Sequence, residues 1–325
     1  FAMMVIMALV TTLMTGPMLA MIARLFPERA LDPRVLEELA RKFRVLVPFG
    51  DPSRGRSMVR VALAFVRRNE NASVTALHMV PSSELHQFNM AERERDSFKS
   101  VREEIQQQRM AGHAAPVETL FKASGDIVKD VEAIANAGDY DLAIVGVGRS
   151  IYEGTFLGRL AGITSRFIDP QRLVGSLTGK ENLLSADVFD DRVRELIREV
   201  KVPLGIYIEK GLERIDRVVV PLFSLSDSFL LAYAQKLTAN TEARVVLLDT
   251  ASVFDQSPEL LATIDSMMRA APGRITMRRS VELESSLTEL DKPDLMLIGV
   301  DAWTRSVESG SAWLTRTPSV LIMRP

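Results

Sequence analysis

The chain has 325 residues, with 40 lysines and arginines against 42 aspartates and glutamates, a net charge of −2 and no cysteine. That balance gives no electrostatic footprint for nucleic acid or a general anionic surface, and the absent cysteines exclude disulfides, thiolate metal sites and cysteine nucleophiles. The three histidines, His78, His86 and His113, stand in no metal-ligand spacing.

The first element is FAMMVIMALVTTLMTGPMLAMIA, Phe1 to Ala23, which carries no charge. A run of ~20 apolar residues rising 1.5 Å each spans a hydrocarbon core, so a transmembrane helix is expected over residues 1–25. Arg24, Arg29, Arg34, Arg41 and Lys42 follow it closely, which places residues 27–325 on the cytoplasmic side. A signal peptide wants a charged n-region and a small-x-small cleavage site; the run lacks the first and offers a poor second. A buried core helix is the remaining alternative. Because the chain opens on Phe and enters this run directly, the expectation is the tail of a longer, multi-pass membrane protein. Thr11, Thr12, Thr15, Gly16 and Pro17 fit a kinked membrane helix in which hydroxyls re-satisfy carbonyls freed by proline. Residues 26–42 form a linker, with a short amphipathic helix over Arg34 to Lys42.

The remainder of the chain is long enough for two domains, and it repeats itself. FRVLVP (Phe43 to Pro48) and DRVVVP (Asp216 to Pro221) are short apolar runs suited to buried parallel strands. Each leads into a helical stretch, Met58 to Arg68 and Phe229 to Leu237, and then a second strand, Ser73 to Val80 and Ala243 to Asp249. DLAIVGV (Asp141 to Val147) and DLMLIGV (Asp294 to Val300) share one pattern, and both copies close on an aliphatic strand introduced by proline, Leu204 to Ile208 and Val320 to Met323. Helical patterns lie between: Ala91 to Met110, highly charged and expected to be mostly solvated, with Glu103 and Glu104 in water; Asp126 to Ala137; Asp187 to Val200; Pro258 to Arg269; and a stub over Ser285 to Leu290. Strand–helix alternation predicts an α/β fold of two tandem five-stranded parallel sheets with helices on both faces. The expected domains are 43–210, carrying an insertion at about 160–186, and 214–325. They should pack as a pseudo-dimer of separate sheets through the strands near Leu204 and Val320.

Two resemblances bear on function. MALVTTLMTGP resembles the last membrane helix of monovalent cation:proton antiporters. VLVPFGDPS, TALHMVPSSE, DLAIVGVG and PSVLIMRP resemble the universal stress protein family, over about residues 43–325 as two tandem copies, with His78 a structural residue at a strand end. Nucleotide-binding members of that family carry an Asp after the first strand, then Gly-x-x-Gly, nine residues, and Gly followed by Ser or Thr. Such glycines let backbone N–H groups approach phosphates. Here Gly50 falls at the Asp position with Asp51 one place on. Gly146 and Gly148 are separated by one residue, and Arg159 replaces the hydroxyl residue after Gly158. The resemblance thus implies a degenerate nucleotide or phosphate site, bordered by Gly50, Asp51, Gly146, Gly148, Gly158 and Arg159. ATP is its weak ligand expectation and no other cofactor is expected. In the second copy Ser224 takes the Asp position and Asp301 follows Gly299, so that copy is expected to be empty.

Other signatures fail. Gly179-Lys180 is followed by Glu181 in place of the Ser or Thr of a P-loop, no Gly-x-Ser-x-Gly elbow occurs, and Trp303 and Trp313 read as packing or interface residues. No catalytic or metal residues are expected. Together the resemblances imply the regulatory C-terminal region of a sodium or potassium:proton antiporter. Its partners would be the membrane, the transporter core of the same chain and a second copy in a homodimer, with no nucleic acid. The alternative is a membrane-anchored nucleotide sensor without a transport role.

Overall fold

The computed structural model describes residues 42–82, 90–110, 112, 115–147, 191–279, 283, 287, 290, 292–308 and 317–325, together with residue 3. The chain divides into two units, Phe1–Leu36 and Glu37–Pro325, and every element below belongs to the second. The expected transmembrane helix, the linker, the insertion at 160–186 and Trp313 lie outside the described residues. Among the described residues no helix is long and apolar enough to cross a membrane.

The strands are β1 (Phe43–Phe49), β2 (Ala72–Pro81), β3 (Val117–Ser124), β4 (Leu142–Gly146), β5 (Leu204–Ile208), β6 (Arg217–Leu222), β7 (Arg244–Asp249), β8 (Ile275–Arg279), β9 (Leu295–Gly299) and β10 (Ser319–Arg324). The helices are α1 (Pro52–Val66), α2 (Met90–Ser97), α3 (Lys99–Met110), α4 (Ile127–Ala137), α5 (Asp191–Glu199), α6 (Leu230–Asn240), α7 (Val253–Gln256), α8 (Pro258–Ala270) and α9 (Val300–Glu308).

All ten strands form one sheet in the order β3-β2-β1-β4-β5-β10-β9-β6-β7-β8. Each half has the order 3-2-1-4-5, every pairing within a half is parallel, and the halves meet where β5 and β10 pair antiparallel, Ile206 opposite Ile322. This corrects the expectation of two separate sheets. The strands near Leu204 and Val320 do lie at the contact, and there they hydrogen-bond and join the halves into one sheet. Pairing satisfies the open edge that each half would otherwise expose.

β4, β5 and β9 are buried along their whole length and read as continuous apolar runs, because helices cover both faces. Alternate residues feed two cores. Val45 and Val47 face one layer with α1, α3, α6 and α8, while Leu46 faces the other with α4, α5 and α9. On the first face α1 and α6 meet across the boundary between halves. Asn240 Nδ2 donates to the Phe65 carbonyl at 2.7 Å, its Oδ1 accepts from the Arg68 N–H at 2.9 Å, and the Phe65 and Tyr233 rings stand edge to face.

Two local expectations are corrected. Helix α1 begins at Pro52, six residues before Met58, because Asp51 caps it and proline fits the first turn. The charged stretch 91–110 is two helices with Phe98 between them; most of its described residues are exposed, as expected, but Phe98, Val101 and Glu104 are fully buried, so Glu104 is not in water.

Candidate functional site

In an open parallel sheet, ligands enter outside the carboxyl ends of the strands where the strand order reverses. In the first half that point lies between β1 and β4, flanked by Gly50 and Asp51 after β1 and by Val147 after β4. Of the six residues predicted to border the site, Gly50, Asp51 and Gly146 are gathered there. Gly148, Gly158 and Arg159 lie outside the described residues.

The two loops are tied together by a residue that no sequence motif singles out. Arg54, on the first turn of α1, donates from Nη1 to the Val147 carbonyl at 3.0 Å, and its Nε lies 4.0 Å from Asp51 Oδ2. Asp51 Oδ1 accepts from the Ser53 N–H at 2.9 Å and the Ser53 hydroxyl at 2.6 Å. Its carboxylate is therefore spent as a helix cap. Gly50 is held from the other side, its carbonyl 3.0 Å from His78 Nε2. A carbonyl can only accept, so the imidazole carries its proton on Nε2. His78 is buried at the end of β2 among Phe49, Phe98 and Phe121, which makes it a structural residue.

Gly146 has a packing reason to be glycine: a Cβ there would meet Met58 Sδ at 2.7 Å. Its lack of a side chain admits α1 to the sheet. Among the described residues the first crevice offers a partly exposed guanidinium, that of Arg54, beside a capped loop, a group suited to an oxoanion.

The second half closes the same point with its own carboxylate. Asp227 lies in the 3-10 turn Leu225–Phe229 after β6 and is 2% exposed. Its Oδ2 accepts from the Phe223 N–H and the Ser224 N–H, both at 2.9 Å, and from the Ser224 hydroxyl at 3.1 Å. A Cβ on Gly299 would sit 2.5 Å from its Oδ1. Backbone donors that could cradle an external anion are thus taken by an internal one, and a second negative group would be repelled. Ser224 stands where it was expected, and Asp301 is exposed on α9. Asp227 is the residue that governs this crevice. Its signal in the sequence is Ser224-x-x-Asp227 after a strand, the spacing of a capping box.

A buried ionic cluster lies beneath α1. Glu104 of α3 accepts from Arg60 Nη2 at 2.6 Å, Arg56 Nε at 3.0 Å and Gln108 Nε2 at 2.8 Å. Arg60 Nη1 also donates to the Leu212 carbonyl at 2.5 Å, so the cluster anchors the connection between halves. Burial alone would raise the Glu104 carboxyl; hydrogen bonds from Arg60, Gln108 and Arg56 outweigh it and hold the group at about 2. Tyr207 of β5 meets the Ser57 hydroxyl at 3.0 Å, and burial pushes its phenol up to about 12. These groups cross-link α1 to α3 and to β5. Trp303 is buried in the second core. Among the described residues no group of three or more His, Cys, Asp or Glu could hold a metal ion.

Residues 43–167 match the universal stress protein family. No curated protein matches the chain. Among solved structures it is similar to the cytoplasmic domain of a prokaryotic cation chloride cotransporter, at 12% identity over 87% of this chain and 95% of that one with a TM-score of 0.49. It is similar also to a universal stress protein from Archaeoglobus fulgidus DSM 4304, at 16% identity over 86% and 95% with a TM-score of 0.45. A third is the functionally unknown protein PA1789 from Pseudomonas aeruginosa PAO1, at 11% identity over 89% and 94% with a TM-score of 0.47.

Proposed function

We propose that residues 43–325 are the regulatory region of a monovalent cation:proton antiporter, with Na⁺ or K⁺ carried by the membrane core of the same protein. The observation that carries this reading is the order of parts. An uncharged run containing MALVTTLMTGP, which resembles the last helix of such antiporters, leads within a short basic linker into a universal stress protein domain at 43–167. The second half, with the same strand order, is read as a tandem copy. Both switch-point crevices are engaged by the chain's own side chains, Arg54 in one and Asp227 in the other, and among the described residues neither assembles a nucleophile with a base. That favours a non-enzymatic module acting through contacts. The region lies on the cytoplasmic side and works in a homodimer.

A membrane-anchored nucleotide sensor is the second reading, favoured by Arg54 standing in the first crevice where a phosphate would approach. Proteoliposomes of the full-length protein test both. Cation-dependent collapse of a pH gradient, with a pH profile displaced when residues 43–325 are removed, is the expected result. Flux indifferent to that removal would overturn the regulatory role. Absent flux, with ATP raising the melting temperature of the full-length protein, would favour the sensor.

A further inference from the structure

The sheet ends on β3 at one side and on β8 at the other, and among the described residues no strand pairs with the outer side of either. An unpaired edge is a row of backbone donors and acceptors that another strand can take. The register of β3 on β2 fixes which residues hold that row. Pro116, just before β3, turns its carbonyl towards β2, where it accepts from the Val74 N–H at 3.0 Å. Along a parallel ladder one residue points its N–H and C=O to the neighbour and the next points both away. Glu118, Leu120 and Lys122 therefore bond inward, and Val117, Thr119, Phe121 and Ala123 present their backbone groups to the open edge. Side chains alternate between faces, which puts Glu118, Leu120 and Lys122 on one of them. Leu120 is 46% exposed. The Lys122 ammonium donates to Asp130 of α4 at 2.9 Å with 40% of its side chain still exposed.

That order of residues is self-complementary. An antiparallel, two-fold pairing of β3 with β3 of a second copy, centred on Leu120, sets Leu120 opposite Leu120 and each Glu118 opposite a Lys122. The same register sets Thr119 opposite Phe121 and Val117 opposite Ala123, the outward-facing residues, which exchange N–H···O bonds as pairs. The charged and leucine pairs then fall at the non-hydrogen-bonded positions, where Cα atoms approach to ~4.5 Å and side chains lie closest. Opposite charges directly across such a pair are favourable. The other edge behaves differently. Pairing β8 with itself about its central Met277 would set Arg278 opposite Thr276 and Arg279 opposite Ile275, and ITMRR holds no acid to meet them. Exposed cations of that kind guard an edge. The chain already joins its own halves by antiparallel pairing of two edges, β5 with β10. We propose that two copies of this chain join through β3, edge to edge, in the register centred on Leu120. The pairing is isologous, so it closes at two copies. It gives the proposed homodimer its surface and rests on that reading for the dimer itself, but not on cation transport.

The test uses the absence of cysteine from residues 1–325, in the full-length protein in a nonionic detergent, with any cysteine elsewhere replaced by serine. Leu120→Cys sets two thiols across the two-fold axis at a Cα separation that a disulfide spans. Mild oxidation with copper phenanthroline should give a disulfide-linked dimer on a non-reducing gel. Glu118→Cys and Lys122→Cys should each link poorly alone and link when the two chains are co-expressed. Leu225→Cys, at a position 42% exposed in the turn after β6, is the control for chance collision. Glu118→Lys, added to Leu120→Cys, sets like charges opposite each other at both ends of the pairing and should cut the linked fraction about tenfold. Thr119→Pro removes an outward N–H, which an edge strand tolerates; it should have the same effect and serves as the independent probe if Glu118→Lys misfolds. Light scattering of the parent separates the readings. A dimer whose Leu120→Cys form links no better than Leu225→Cys would overturn the β3 interface and leave the homodimer standing, whereas a monomer would overturn both. Linking unchanged by Glu118→Lys and by Thr119→Pro would also overturn the proposal.

Discussion

Glu104 and Arg60 face each other at 2.6 Å in the interior of the first half, with the Glu104 side chain 1% exposed and that of Arg60 15%. The pair joins α3 to α1, and through the Leu212 carbonyl it joins both to the connection between halves. Removing one member of a buried pair leaves the other charge uncompensated, which costs more than the pair itself contributes. Glu104→Gln should lower unfolding free energy by ~2–4 kcal/mol, read as a fall in the denaturation midpoint at unchanged slope. Glu103→Gln, on the same helix, is the surface control and should change it by less than ~0.5 kcal/mol.

The same carboxylate predicts a pH dependence. Its folded value, about 2, lies below its ordinary 4.5, so between these values the unfolded chain binds more protons and stability rises with pH. The contribution, ~3 kcal/mol from a shift of this size, is fully present above pH 4.5. It is lost progressively as pH falls towards 2. Urea melts from pH 6 to pH 2.5 should show this slope in the parent, and a shallower one in Glu104→Gln.

The burial of Glu104 was legible in the helical period, since position 104 lies on the stripe of Phe98, Val101 and Ile105. Charge density around it argued for solvent, and the arginines that justify its burial come from α1, more than forty positions away. Most strands were legible because runs such as DLAIVGV and DLMLIGV admit few alternatives. The third strand of each half was not placed, because β3 and β8 are edge strands whose polar, half-exposed residues give no continuous apolar signal. The fusion of the halves into one sheet depends on β5 and β10 pairing across more than a hundred residues, which local pattern cannot encode. At the candidate site the glycines were legible as residue types and less so as roles: Gly146 admits Met58, and Gly299 admits Asp227.

Those two glycines should differ in tolerance. A Cβ at Gly146 meets the thioether of Met58, a flexible side chain that can turn aside; a Cβ at Gly299 meets Asp227 Oδ1 at 2.5 Å. Asp227 is fixed by two backbone N–H groups and a hydroxyl. Gly146→Ala should therefore cost ~1 kcal/mol and Gly299→Ala ~2–3 kcal/mol, within the range of overpacked cores. Equal losses in thermal melts would contradict the account of a rigid carboxylate plug.

Asp227 itself can be tested with an external anion. Asp227→Ala should destabilise by ~2 kcal/mol, because the Phe223 and Ser224 N–H groups lose a charged acceptor. The cavity it leaves presents those donors to solvent ions. Sulfate should then raise the melting temperature of Asp227→Ala more than that of the parent at equal ionic strength, by linkage. A sodium chloride series separates this binding from general screening.

Arg324 supplies the last constraint at the junction of the halves. It ends β10, in the second half, and reaches into the first, donating to the carbonyls of Ile197, Val200 and Val202 at 2.6, 2.5 and 2.7 Å. Ile197 lies in the last turn of α5, and Val200 and Val202 lead from that helix to β5. Carbonyls at a helix end lack intrahelical partners, and a cation there also complements the helix dipole. Burial lowers the guanidinium's proton affinity, but arginine remains charged far above neutral pH. Arg324→Ala removes all three acceptors' partner and should cost ~2–3 kcal/mol, the scale of a few charge-assisted hydrogen bonds. Arg324→Lys should recover only part, because an ammonium cannot present the same planar fork. Hydrogen exchange locates the effect: amides of α5 and β5 should lose protection before those of β1 and β2, which lie farther from β10 in the sheet. Uniform loss across the sheet would mean that the residue supports global stability alone and does not clamp the two halves at this point.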